Sequence, residues 1–333
     1  MFRKILQKEE TMKHTPFPGY ENQFLAQHVG QSEELDAARK ANGAALMFFE
    51  KPEGMKVEDK MIPGYDEGQE IHIRIFTPAD LPAGAPAVLD IHGGGWVAGN
   101  LDIDNQRCAQ IAVRVPCVVV SVEYRLSGSP EISYPKPLED CHAAYMWILN
   151  NADYLGTDGK RIGVHGSSSG GNLAAGLALY LRDRNEHQPE LTVLNCPCVS
   201  NGFNEDYSYH QNFDMRMGPD VKAIGAENCY TGGYFAALGG KMPSHYAFPL
   251  YANDVGMLGP HFILVGEYDT LRDDGLKYAW RLIKAGVPTE LMMGARSCHC
   301  WTAHPGVYTD LTHDSIALSL QREFGMLDHL KVK

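Results

Sequence analysis

The amino-acid sequence predicts an α/β architecture in which a mostly parallel β-sheet is flanked by helices. Three observations lead there. Short β-branched runs alternate with longer helical patterns, which is how parallel strands joined by crossover helices read. With 333 residues, 44% hydrophobic and 21% charged, the chain has the balance of a globular protein that buries a large core. No repeat, low-complexity tract or long linker divides it, so 1–333 reads as one domain.

The elements follow in order. Candidate strands are Ile71 to Phe76, Ala87 to Ile91, Cys117 to Val122, Ile162 to His165, Leu191 to Asn195, His261 to Val265 and Thr289 to Met293. Helical length and periodicity mark Asp102 to Val113, Leu138 to Asn150, Ser169 to Arg184, Arg272 to Ala285 and Asp310 to Glu323. Gly286 and Pro288 stop the fourth of these as a helix end requires. Two regions break the alternation. Residues 1–52 read as helical pieces ahead of the first strand, and 201–240 is an aromatic, Met- and Gly-containing insertion, so together they are expected to form a cap over a core of about 53–200 and 241–333.

A formal net charge of −12 argues against nucleic acid or an anionic membrane as the main partner, since both reward a basic patch. The opening residues lack an apolar run of signal-peptide length, and no later stretch reaches membrane-spanning length, so a cytoplasmic protein is expected. Eight cysteines do not form the dense framework of a small secreted domain and are expected to be reduced. Cys196-Pro197-Cys198 and Cys298-His299-Cys300 raise the question of zinc, but their spacing is tighter than in structural zinc sites, and no metal is expected.

The chemistry starts at Gly166-Ser167-Ser168-Ser169-Gly170, between a β-branched run and a helical pattern. In that strand-turn-helix context G-x-S-x-G is a nucleophile elbow, and it selects Ser168. The turn holds its serine in a strained conformation with close neighbours on either side, which Gly166 and Gly170 accommodate. A Ser/Gly loop that merely opens a helix is the plainer reading of the motif taken alone.

His92-Gly93-Gly94-Gly95-Trp96 ends an earlier strand. Acyl transfer builds negative charge on the former carbonyl oxygen, and backbone N–H groups reach that charge only where no side chain blocks them. Gly94, Gly95 and Ser169 are the candidate donors of this oxyanion hole, with Gly93 shaping the turn. A plain glycine turn is again the bland alternative. For the carboxylate, Asp269 lies in the loop at the carboxyl end of the His261 to Val265 strand, with Glu267 as its rival; Asp273 and Asp274 fall at a helix start, where acids usually meet the dipole. For the base, His299 follows the last strand and His304 lies five residues on.

Four motifs in order, His92 to Trp96, Tyr124-Arg125-Leu126, Gly166 to Ala174 and Asp269-Thr270-Leu271-Arg272-Asp273, resemble the hormone-sensitive-lipase-like branch of bacterial α/β-hydrolase esterases over roughly Ile71 to His299. The resemblance implies an α/β-hydrolase fold with a helical cap built from an N-terminal segment and an insertion after the sixth strand. It also implies Asp269 as triad acid and His299 as base. The chain departs from the family pattern at Ser167, Ser169 and Cys300-Trp301. Tyr124-Arg125-Leu126 is expected to be structural. The implied activity is hydrolysis of short-chain carboxylic esters through an acyl-enzyme, with no cofactor and a small-molecule ester as partner. An amidase or deacetylase with the same triad, or a receptor on the same fold, are the alternatives; a homodimer is left open.

Overall fold

The computed structural model describes residues 49–96, 98–127, 132–201, 206–216, 244–303 and 307–327. Eight strands form one sheet: β1 (Lys56–Pro63), β2 (Glu70–Thr77), β3 (Ala85–Ile91), β4 (Val118–Glu123), β5 (Thr157–Ser167), β6 (Thr192–Asn195), β7 (His261–Gly266) and β8 (Thr289–Gly294). Their order is β1-β2-β4-β3-β5-β6-β7-β8. The β1–β2 and β2–β4 pairs are antiparallel, and every pair from β4–β3 onward is parallel.

All seven strands expected from β-branched runs are present, with ends shifted by a few residues. The sequence reading missed β1. Its residues KVEDKMIP carry charge at four of eight positions and only Ile62 is fully buried, because β1 is an edge strand that has a single neighbour. At the other extreme β3 is buried along its whole length, as a strand covered on both faces must be.

The longer described helices are α1 (Asn105–Arg114), α2 (Lys136–Asn150), α3 (Ser169–Asp183), α4 (Tyr207–Arg216), α5 (Arg272–Lys284) and α6 (Val307–Glu323). The stretch expected to be helical from Asp102 opens as a 3-10 turn, Leu101–Asp104, capped by the Asn100 side chain. Alternate side chains of the strands feed two cores. On one face Ile73, Leu89, Val120, Val164 and Leu194 pack with residues of α2, α3 and α5; on the other Phe76, Val88, Val119, Val193 and Leu264 pack with residues of α1 and α6. The period-2 pleat sorts the strand residues between those faces.

Of the two expected cap segments, residues 1–48, 202–205 and 217–240 lie outside the described residues, as does the candidate base His304. Within the second segment α4 is described, with Tyr207 exposed and Tyr209 buried. No described helix is long and apolar enough to cross a membrane.

Candidate active site

β5 delivers Ser168 into a turn that no ordinary residue prefers. Its φ of 57° and ψ of −118° lie in a region that costs a non-glycine residue roughly 1–3 kcal/mol, and α3 starts at the next residue. The two flanking glycines show why the turn can close. A Cβ on Gly166 would fall on the Gly170 carbonyl, and one on Gly170 would fall on the carbonyl oxygens of Ile91 and His92. The elbow therefore packs backbone to backbone against the end of β3. The Ser168 N–H donates to the Asn195 carbonyl at 2.8 Å, which ties the turn to the end of β6 as well.

Three side chains from three separate loops meet at this point. His299 Nε2 lies 2.9 Å from Ser168 Oγ, and His299 Nδ1 lies 2.7 Å from Asp269 Oδ2. A carboxylate can only accept, so Nδ1–H donates to Asp269 and Nε2 keeps the lone pair that receives the serine hydroxyl. Asp269 is fully buried, and its other oxygen accepts from the Leu271 N–H at 2.9 Å. Glu267 is instead turned to the neighbouring loop, where it accepts from the Arg296 N–H at 2.6 Å. His304 lies outside the described residues.

The glycine run lies against the elbow: a Cβ on Gly93 would sit 3.3 Å from the Ser168 Cβ and 3.0 Å from the Ser167 carbonyl. Gly94 has φ of 128°, which only glycine adopts freely, and Gly95 has φ of 63°. His92 supports the run from below. Burial lowers its pKa, so the ring is neutral; Nδ1–H donates to the Gly93 carbonyl at 2.8 Å, and Tyr124 stacks on the ring at 4.2 Å while donating to the His92 carbonyl at 3.0 Å. Trp96 Nε1–H donates to Asn172 on α3 at 3.2 Å. In Tyr124-Arg125-Leu126 the tyrosine therefore braces the glycine loop, and Arg125 holds Asp140 with a bidentate pair at 2.8 and 2.7 Å.

Several residues that frame the site carry no motif. Asn195 Nδ2 donates to Ser167 Oγ at 3.1 Å and to Thr302 Oγ1 at 2.6 Å, and so links the elbow to the His299 loop. Asn212 on α4 donates to the backbone carbonyls of Glu267 and Asp269 at 3.2 and 3.0 Å, while Ser208 bonds Asp273 and Thr270. Asp274 accepts from the N–H groups of Val199 and Ser200, and burial pushes its pKa up to about 6. Beneath β3 and β5, Arg107 sits between two buried acids. Burial raises Asp104 to about 7, whereas Arg107 and a hydrogen bond from His165 outweigh burial at Asp90 and hold it below the ordinary carboxylate range. Apart from the Asp104–Arg107 pair, three residues apart, none of these contacts follows a short spacing in sequence, so only the fold could bring them into view.

One further cluster borders the imidazole. Cys196 and Cys300 both have left-handed backbones, at φ of 49° and 51°, and the Cys300 N–H donates to Cys196 Sγ at 3.2 Å. The two thiols share one hydrogen bond, which lowers the Cys300 pKa; burial first, and that shared bond second, raise the Cys196 pKa.

The chain is similar in sequence and fold to known proteins. A family profile described as the alpha/beta hydrolase fold matches residues 88–303. The chain is 36% identical over 256 residues to Esterase LipI of Mycobacterium tuberculosis (strain ATCC 25618 / H37Rv), covering 76% of this chain and 77% of that one. It is 31% identical over 265 residues to the ethyl acetate hydrolase of Pseudomonas putida, covering 78% and 80%. The solved structure of a bacterial heroin esterase superposes with a TM-score of 0.76 at 30% identity, over 87% of this chain and 91% of that one. The chain thus belongs to the alpha/beta hydrolase fold family, in its hormone-sensitive-lipase-like branch of bacterial carboxylesterases.

Proposed function

We propose that the chain hydrolyses short-chain carboxylic esters with Ser168 as nucleophile, His299 as general base and Asp269 as the group that orients it. The observation that carries this reading is the unbroken hydrogen-bonded chain from Ser168 Oγ through both imidazole nitrogens to the buried Asp269 carboxylate. As the hydroxyl attacks the ester carbonyl, its proton passes to His299 Nε2, and the imidazolium is stabilised by Asp269. The N–H groups of Gly94, Gly95 and Ser169 serve as oxyanion donors, with Gly93 leaving room at the nucleophile. His299 then gives its proton to the departing alcohol, and water, activated by the same imidazole, releases the acid and restores Ser168.

The core of about 53–200 and 241–333 carries this chemistry, with 1–52 and 201–240 as the cap; the docking of α4 beside the Asp269 loop supports that division. A homodimer would use the β8 edge, where Leu291 and Met293 are exposed, as are Trp280 and Ile283 on α5; light scattering measures it. The adjacent free thiols of Cys196 and Cys300 suit a reducing compartment such as the cytoplasm.

The test is a panel of nitrophenyl esters, acetylated sugars and aryl amides with the protein and its Ser168→Ala and Ser167→Ala variants. Ser168→Ala is expected to lower kcat by about four orders of magnitude or more, and Ser167→Ala to retain much of the rate. Comparable losses in both variants would overturn the assignment.

A further inference from the structure

His299 has two neighbours that ester hydrolysis does not use. Cys196, at the carboxyl end of β6, and Cys300, next to His299 in the loop after β8, bring their sulfurs and an imidazole nitrogen within 4.8 Å of one another. Cys298, although adjacent to His299, is not part of this cluster; the partner comes from 104 residues earlier in the chain, which short cysteine spacing did not reveal.

We propose that Cys196, Cys300 and His299 form an inhibitory site for a thiophilic divalent cation, with Zn2+ as the physiological ion of that class. The proposal rests on the reading of His299 as general base. Two thiolates and an imidazole are a donor set that suits Zn2+, and three protein ligands leave a fourth position for solvent. Zinc takes its sulfur ligands at about 2.3 Å and nitrogen at about 2.0–2.1 Å, so the cluster needs only a modest contraction to close on one ion.

Both cysteines hold positive φ angles, which are uncommon for a side chain of this kind and cluster where local geometry serves a site. Each thiol that ligates gives up its proton to solvent. Whichever imidazole nitrogen binds the ion, the triad is broken. At Nε2 the ion takes the lone pair that receives the serine proton, and at Nδ1 it replaces the proton that the ring donates to Asp269, which leaves to solvent. Removal of the ion restores both hydrogen bonds, so the inhibition is reversible.

The experiment titrates chelator-treated protein with Cd2+, read by the ultraviolet thiolate-to-cadmium charge-transfer absorption, and with Zn2+, read by hydrolysis of a short nitrophenyl ester. About one ion per chain is expected, with inhibition following occupancy and reversed by chelator. Cys300→Gly, which suits the positive φ, and Cys196→Ala are each expected to weaken binding roughly tenfold or more and to raise the half-inhibitory Zn2+ concentration equally, relative to their own metal-free rates. No charge-transfer band, binding that survives both substitutions, or occupancy without inhibition of an active enzyme would overturn the proposal. A chain without esterase activity that still binds Cd2+ through these cysteines would support the site and count against the catalytic reading instead.

Discussion

Asn212→Ala tests whether the insertion carrying α4 (Tyr207–Arg216) is part of the catalytic apparatus or only covers it. Asn212 is fully buried, and its Nδ2 donates to the carbonyls of Glu267 and Asp269, on either side of the loop that aims the Asp269 carboxylate at His299. Both carbonyls keep a second donor, the Arg272 guanidinium for Glu267 and the Arg272 N–H for Asp269, so neither is orphaned. The stability loss should therefore fall at about 1–2 kcal/mol, toward the lower end for a buried polar truncation. Ser208 still pins the helix to Asp273 and Thr270, so α4 stays in place while the Asp269 loop loosens. Loss of about 1.4 kcal/mol of positioning corresponds to a tenfold fall in kcat. The expected outcome is that fall with KM changed less than about twofold, measured by steady-state hydrolysis of a short nitrophenyl ester alongside urea unfolding. A stability loss of the expected size with kcat unchanged would refute the coupling and leave Asn212 a purely structural residue.

Other expectations follow from single features. Gly170→Ala should destabilise by about 3 kcal/mol or more in chemical denaturation, because its Cβ meets two backbone carbonyls that no side-chain movement can clear; an unchanged midpoint would contradict the packing of the elbow on β3. His261 is fully buried, donates from Nδ1 to the Gly259 carbonyl at 2.8 Å, and burial lowers its pKa to about 4. With the folded value below the unfolded 6.5, the stability present above that value is lost as pH falls toward 4. His261→Gln should therefore gain about 3 kcal/mol relative to the parent between pH 7 and pH 4, and a pH-independent difference would show that the ring titrates normally. Each methylene that fits the acyl pocket contributes up to about 0.8 kcal/mol, so kcat/KM should rise from acetyl to about hexanoyl esters and then fall. Higher rates on emulsified long-chain triglycerides would contradict a cap that shortens the pocket.

The parts of the fold visible in sequence were those written in periodicity. β3 to β7 announce themselves because their buried parallel stretches read as apolar runs, β2 because Ile71, Ile73 and Ile75 alternate along it, and α5 because Gly286 and Pro288 mark its end. β1 escaped because an edge strand with one buried residue and four charges resembles a polar loop. At the site, Ser168 and the glycine run were legible because a strained turn and an unobstructed N–H each demand glycine at fixed offsets. The choice between Asp269 and Glu267 leaned on resemblance, since both occupy one loop and only the direction of the side chain separates them. Asn195, Asn212, Asp274 and the Cys196 neighbour of Cys300 were invisible, because each acts across 55 to 107 residues of sequence through contacts that exist only once the sheet has formed.

Site-resolved labelling with a fluorophosphonate tests the central claim most directly, since the reagent reacts only with a serine whose hydroxyl is activated and whose developing oxyanion is stabilised. Fragmentation mass spectrometry should place one phosphonyl group on Ser168, with labelling lost in Ser168→Ala and slowed by orders of magnitude in His299→Ala. A label on Ser167, Ser169 or any other serine, or labelling that persists without His299, would contradict the account.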